Sequence, residues 1–175
     1  MRSVLYTGKF LSLVKEGHWE YAERVNATGA AVIVAVTDEQ KILLVEQYRI
    51  PLHTNTIELP AGIIGDEDGR HDTSDAEAVR RELREETGYD AERVEVLMTG
   101  PSSGGLTSEV ITLFRASGLR RTGTGGGVGH EKIIVHEVPL VEIDAWLAAK
   151  AKTDALVEPK VYAGLYFLRD RSGCK

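Results

Sequence analysis

The sequence predicts a single α/β domain, a mixed sheet with helices on its faces. Three observations predict it. Ala30 to Val36 and Lys41 to Tyr48 are continuous apolar runs of the kind that form strands buried on both faces. A capped amphipathic helix follows from Ser74, so helical and extended signals are interleaved along one chain. The length, 175 residues, suits one domain with a real core, and 42% hydrophobic with 27% charged residues is an ordinary globular composition.

From about Val4 to Val25, apolar and polar residues alternate, as in Lys9-Phe10-Leu11-Ser12-Leu13-Val14-Lys15. Gly8 and Gly17 punctuate this stretch, which predicts two or three short antiparallel strands. Thr37 to Gln40 reads as the turn between the two apolar runs. Ile63 to Thr73, rich in Gly, Asp and Glu, is expected to be a loop. Ser74-Asp75-Ala76-Glu77 matches a capping box and starts a helix; Ala76, Val79 and Leu83 form its core stripe and Gly88 its stop. Strands are expected at Val94 to Met98, Val110 to Ala116 and Ile133 to Val138. Gly123 to Gly129 reads as a mobile surface loop joining the last two. Val141 to Lys152 and Pro159 to Arg169 are expected to be helical, with Pro159 in a first turn. Residues 1–28 are thus expected to form an N-terminal strand unit, and 29–175 the main domain.

A net charge of −6 and the lack of any Lys/Arg-rich run argue against a nucleic-acid partner. The single cysteine, Cys174, cannot form an internal disulfide, which suits a reducing cytoplasmic compartment. No apolar run approaches membrane-spanning length and no signal-peptide core is present. The five histidines show no paired ligand spacing and read as surface or packing residues.

The chemistry is concentrated in Arg81-Glu82-Leu83-Arg84-Glu85-Glu86-Thr87-Gly88-Tyr89. Glu82, Glu85 and Glu86 lie three and four apart, so their carboxylates project to one side of one helix. Like charges so close repel unless a cation sits among them. A hard divalent ion is the natural candidate, and Mg2+ favours one or two carboxylates plus substrate phosphates. A solvated Glu/Arg face with pairs such as Arg81–Glu85 is the alternative reading.

With its flanks, this segment closely resembles a Nudix box, Gly-x5-Glu-x7-Arg-Glu-U-x-Glu-Glu-x-Gly-U, where U is bulky and apolar. Arg81 to Tyr89 match its second half, and Pro60-Ala61-Gly62 matches its usual opening. The first half departs: Arg81 follows Gly62 by nineteen residues rather than fourteen, and Thr73 stands where the pattern has Glu. Glu67, Asp68 or Asp72 is expected to replace that glutamate as the partner of Arg81. The resemblance implies the Nudix fold, an α/β/α sandwich with a mixed sheet. It also implies Mg2+- or Mn2+-dependent hydrolysis of a nucleoside diphosphate linked to another group. Glu82 and Glu86 would be metal ligands together with the Ala61 carbonyl, and Glu85 a further ligand or the residue that orients water.

Val45-Glu46-Gln47-Tyr48-Arg49 and Ile57-Glu58-Leu59-Pro60-Ala61-Gly62 are similar to the ADP-ribose and nucleotide-sugar pyrophosphatase branch of that family. The resemblance implies a diphosphate contact for Arg49, whose alternative is a surface arginine closing a strand. Glu58 is a further candidate at the metal and substrate site. Ser102 to Glu109 resembles a loop whose glutamate faces the active site, which brings in Gly104 and Glu109. Gly129-His130-Glu131 resembles a loop that supplies a general base, so Glu131 and Glu85 stand as rival bases. Gly8-Lys9-Phe10 and His18-Trp19-Glu20 resemble base-binding segments of dimeric enzymes. They imply a homodimer with exchanged N-terminal strands, with Phe10 and Trp19 stacking on the base and Glu20 on its edge. Arg24 would reach a phosphate across the subunits. Packing of a small sheet is the alternative for the two aromatics. The function implied is hydrolysis of ADP-ribose or a related sugar nucleotide. Its rivals are another nucleoside diphosphate compound (a UDP- or GDP-sugar, coenzyme A, a dinucleotide, a triphosphate or capped RNA) and a non-catalytic ligand-sensing domain.

Overall fold

Every residue of one strand, Gly29–Ala35, packs against something, and this strand organises the structure. The structure, a computed structural model, describes residues 1–27, 29–65 and 74–169. Its strands are β1 (Arg2–Thr7), β2 (Leu11–Glu16), β3 (Trp19–Arg24), β4 (Gly29–Ala35), β5 (Lys41–Arg49), β6 (Thr54–Glu58), β7 (Ala61–Ile64), β8 (Tyr89–Pro101), β9 (Val110–Arg121), β10 (Ile134–Pro139) and β11 (Leu156–Val157). The helices are α1 (Asp75–Thr87), α2 (Ile143–Lys150) and α3 (Pro159–Leu168).

The described residues form three sheets, in the orders β1-β2-β3, β7-β4-β9-β8 and β10-β5-β6-β11. The first is the antiparallel N-terminal sheet that alternation predicts. The second is mixed: β4 runs parallel to β9 and antiparallel to β7. Alternate residues of β4 face opposite ways, as strand geometry requires. Ala31, Ile33 and Ala35 meet Val79 and Leu83 of α1, with Leu43, Phe114 and Ala116. Val32 and Val34 join Ile42, Leu44, Ile57, Leu113 and Val138 in a larger cluster closed by Ile143, Leu147, Val161 and Leu165 of α2 and α3. The layers are therefore helix, sheets, helices, the expected α/β/α arrangement. Full burial of each Ile or Leu contributes roughly 1.5–3 kcal/mol, so these two clusters dominate what holds the site elements in place. Gly164 lets α3 close on the sheet, because a Cβ there would lie 2.8 Å from Leu59 and 3.0 Å from Val34.

Several local expectations need correction. Strand β7 continues through Ile64, with Ile63 and Ile64 paired to Ala30 and Gly29, so the loop begins later than Ile63. Two isoleucines between glycines carry too short an alternation to reveal a strand. In α1 it is Ala78, not Ala76, that is fully buried beside Val79 and Leu83. The strand at Val94 to Met98 is only the centre of the thirteen-residue β8, which is bulged between Val96 and Met98. The glycine-rich stretch packs on α1 rather than standing free, as described below. The substitutes proposed for the box glutamate (Glu67, Asp68, Asp72), Thr73 and Cys174 lie outside the described residues.

Candidate active site

Helix α1 is fixed at both ends. Ser74 accepts a hydrogen bond from Glu77 N at 3.3 Å, and Asp75 and Glu77 occupy the first turn, where acidic side chains favour the helix dipole. At the other end Gly88 adopts φ 76° and donates its N–H to Arg84 O, a left-handed cap that glycine favours. Between these ends Glu82 and Glu86 face β7. Glu86 is only 5% exposed and accepts the Ala61 N–H at 3.0 Å. Its burial among Glu82, Glu131 and Glu58 drives its carboxyl pKa up to about 8, against the pull of the Ala61 N–H. Burial also raises Glu82, although Arg81 Nη1 lies 2.7 Å from its Oε1. Gly62 leaves room for Glu82: a Cβ there would overlap the Glu82 carboxylate and displace it. The opening glycine of the box and the Glu82 carboxylate thus lie directly against each other. Arg81 also reaches Glu85, at 3.5 Å.

A cavity of about 320 Å³ opens beside this pair. It is lined by Arg24, Gln47, Arg49, Glu58, Ala61, Gly62, Glu82, Glu86, Glu109, Glu131, Glu158 and Lys160, with Ala30, Val32, Ile63 and Ile111 as its apolar wall. Strand β5 brings Arg49 in a fork onto buried Glu58, at 2.7 and 2.5 Å, and Thr56 also donates to Glu58. Burial alone would raise the Glu58 pKa, but Arg49 and Thr56 outweigh it and hold the group ionised. Its hydrogen bond to Glu58 in turn raises the Arg49 pKa. Arg49 is therefore more than a surface residue ending a strand, and it keeps an exposed edge turned to solvent.

The loop after β8 docks on β3 through Ala22 N to Leu106 O (2.9 Å) and Ser108 N to Ala22 O (3.1 Å). That docking delivers Glu109 to Arg24, which donates to it, and the pair closes one side of the cavity. Glu158 and Lys160 were not anticipated. They enter where β11 pairs with β6 and α3 begins, and Lys160 donates to Glu158. Burial raises the Glu158 pKa, and its Oε2 is buried with no hydrogen-bond partner among the described residues. Pro159 signals a helix start in the sequence, but nothing local says that the start opens on this cavity.

The predicted residues thus do not all meet. Arg24, Arg49, Glu58, Ala61, Glu82, Glu86, Glu109 and Glu131 converge on one cavity, whereas Glu85 lies beside Arg81 and outside the lining. Trp19 and Gly104 line a second cavity, with Glu16, Tyr21, Gly105, Thr107 and Ser108. Phe10 is exposed with Lys9 Nζ 4.9 Å from its ring centroid, and Glu20 pairs with Lys15 at 3.3 Å. Among the described residues, no three His, Cys, Asp or Glu side chains form a ready-made metal cage. No helix of the described residues is long and apolar enough to cross a membrane.

The NUDIX domain model matches residues 27–159, most of the chain. The chain belongs to the Nudix family. The methanol dehydrogenase activator of Bacillus methanolicus is 34% identical over 74% of this chain and 71% of its own. The ADP-ribose pyrophosphatase of Bacillus subtilis is 36% identical over 66% of this chain and 63% of its own. The GDP-mannose pyrophosphatase of Citrobacter koseri is 31% identical over 82% of this chain and 74% of its own. A crystal structure of an ADP compounds hydrolase superposes with a TM-score of 0.74 at 19% identity, covering 97% of this chain and 90% of that one, and supports the same fold. The Nudix region so matched contains the whole cavity lining except Arg24 and Lys160.

Proposed function

We propose that this Nudix protein is a cytoplasmic, Mg2+- or Mn2+-dependent hydrolase of nucleoside diphosphate sugars, with ADP-ribose as the leading substrate. One observation carries the reading: an acidic wall of Glu82, Glu86 and Glu131 shares a cavity with Arg49, Arg24 and Lys160. A diphosphate needs both, cations for its oxygens and carboxylates for the metal that neutralises it. The donor set fits a hard ion. Glu82 and Glu86 supply carboxylate oxygens, and burial raises the pKa of both, of Glu82 even with Arg81 beside it. Two convergent carboxylates rather than a closed cage is what Mg2+ prefers. Once bound, such an ion polarises the phosphate and lowers the pKa of attacking water.

The protein's own groups do the rest. Arg49, held by Glu58, grips one phosphate; Arg24 and Lys160 receive the other phosphate or the sugar. Glu131 takes the proton of the water that attacks phosphorus, the phosphorus–oxygen bridge breaks, and AMP and ribose 5-phosphate leave. Glu131 is preferred to Glu85 as base because it lines the cavity, whereas Glu85 does not. The N-terminal sheet exposes Val4, Leu5, Tyr6, Phe10, Leu11, Leu13 and Trp19, and only Val14 of its side chains is fully buried. A second copy packing on this sheet would cover part of that exposed surface and make a homodimer. Trp19 lines the second cavity and Phe10 lies at the other end of the β2–β3 hairpin, so the two would stack on one base as residues of different subunits.

A screen of ADP-ribose, ADP-, GDP- and UDP-sugars, dinucleotides, coenzyme A and triphosphates with Mg2+ or Mn2+ tests the reading. ADP-ribose should yield AMP and ribose 5-phosphate, and Glu82→Gln should lose at least a hundredfold in rate. Preference for a GDP-sugar would move the substrate toward that of the Citrobacter relative. Cleavage of triphosphates alone would overturn the diphosphate-sugar assignment.

A further inference from the structure

The glycine-rich segment between β9 and β10 is tied by its backbone to the C-terminal end of α1. Thr122 N and Gly123 N both donate to Gly88 O, at 2.7 and 3.0 Å. Gly126 N donates to Glu86 O at 2.8 Å and Gly127 N to Glu85 O at 3.0 Å. The last carbonyls of a helix have no partner within it, so this segment supplies what the helix lacks. It reaches them only because side chains are missing. A Cβ on Gly125 would overlap the backbone of Thr87, and Gly125, Gly126 and Gly127 all have positive φ (67°, 107° and 84°). Glycine here serves close approach rather than freedom.

Gly127 has a second contact. A Cβ there would lie 2.6 Å from Glu131 Cβ and 2.7 Å from Glu131 Oε2. The Glu131 carboxylate instead folds back onto the bare Gly127–Val128 peptide and accepts the Val128 N–H at 2.9 Å. From that position it lines the cavity with Glu82 and Glu86. Gly127 therefore touches α1 through its N–H and Glu131 through its absent side chain.

We propose that Gly127 is a positioning residue for the reaction: it registers the Glu131 carboxylate against the metal-binding helix. The proposal rests on the role given to Glu131 above. A loop carrying an acid has many placements, and catalysis loses orders of magnitude when a reacting group is displaced by about an ångström. The clamp converts a flexible composition into one placement, by bonding to the carbonyls of the residues that carry Glu85 and Glu86.

The test is a double-mutant cycle on steady-state hydrolysis of whichever diphosphate substrate the screen identifies. Gly127→Ala should lower kcat at least tenfold, with KM and Mn2+ affinity changed less than about threefold. In a Glu131→Gln background the same change should cost less than about twofold, because its effect passes through Glu131. Gly129→Ala is the control. Gly129 also has positive φ, at 63°, but a Cβ there meets nothing within 4 Å, so kcat should stay within about threefold. Gly127→Asn tolerates the left-handed backbone yet keeps the Cβ, so it should repeat the Gly127→Ala result even if the alanine variant folds poorly. In the substrate-free protein, the Gly126 and Gly127 amides should be protected from hydrogen exchange. An equal Gly127→Ala loss in both backgrounds, or unprotected amides, would overturn the clamp while leaving the hydrolase reading intact. A harmless Glu131→Gln would overturn both the clamp and the Glu131 assignment. A different substrate in the screen changes only the proposed function.

Discussion

Glu86 should make the stability of the metal-free protein fall as pH rises, the reverse of the usual behaviour of a carboxylate. Its ordinary value of 4.5 is raised in the fold to about 8, chiefly by burial. Between those values the folded protein holds a proton that the unfolded chain has released, so raising pH pulls the equilibrium toward the unfolded state. With those two values, linkage gives a loss of roughly 3 kcal/mol between about pH 5.5 and about pH 8. Glu82 and Glu158 are raised by burial and add to the same trend. The lowered carboxylates Glu58, Glu109 and Glu46 contribute stability that is fully present above their unfolded values and is lost only in acid, so they leave this window flat. Urea unfolding at the two pH values, with chelator present, measures the slope; Glu86→Gln should remove most of it, and added Mn2+ should restore stability at the higher pH. Equal slopes in the wild type and in Glu86→Gln would refute the buried-acid account.

Two further outcomes follow from contacts at the cavity. Gly62→Ala places a methyl in the space of the Glu82 carboxylate, so it should weaken Mn2+ binding at least tenfold in a calorimetric titration while the circular dichroism spectrum is retained. Arg49→Lys keeps the charge but loses the two-pronged bond to Glu58, so KM for the diphosphate substrate should rise about tenfold, as read from initial rates.

What was legible in the sequence was local. Helix α1 announces itself because Ser74, Glu77 and Gly88 are a cap, the capping-box position three residues on and a stop within fifteen residues, and the three glutamates follow from helical spacing. Its buried stripe was misplaced by two residues at Ala76, because small residues at 76 and 78 look alike until the sheet beneath them is known. Contacts between distant segments were harder. Arg24 and Glu109 each resemble known site residues, yet the ion pair between them, 85 residues apart, depends on the loop after β8 docking on Ala22. Glu158 and Lys160 had no signal at all: they are delivered by a two-residue strand, Leu156–Val157, too short to leave an alternation.

The glycine-rich segment shows why composition misleads at such places. Gly123 to Gly129 reads as flexible because glycine in an unfolded chain is flexible, and a composition rule counts only that state. In the fold the same missing side chains let the backbone reach the carbonyls of Glu85, Glu86 and Gly88. Ordering so many glycines costs more backbone entropy than ordering other residues. Capped carbonyls at the end of α1 offset part of that cost, and so does the seating of Ile133, which is 8% exposed. The composition therefore makes sense at this position because a helix end that must be capped lies within reach of a backbone free of side chains. A more rigid sequence would lose that approach, and, on the role proposed for Glu131, a loop that did not dock would lose the placement of its carboxylate.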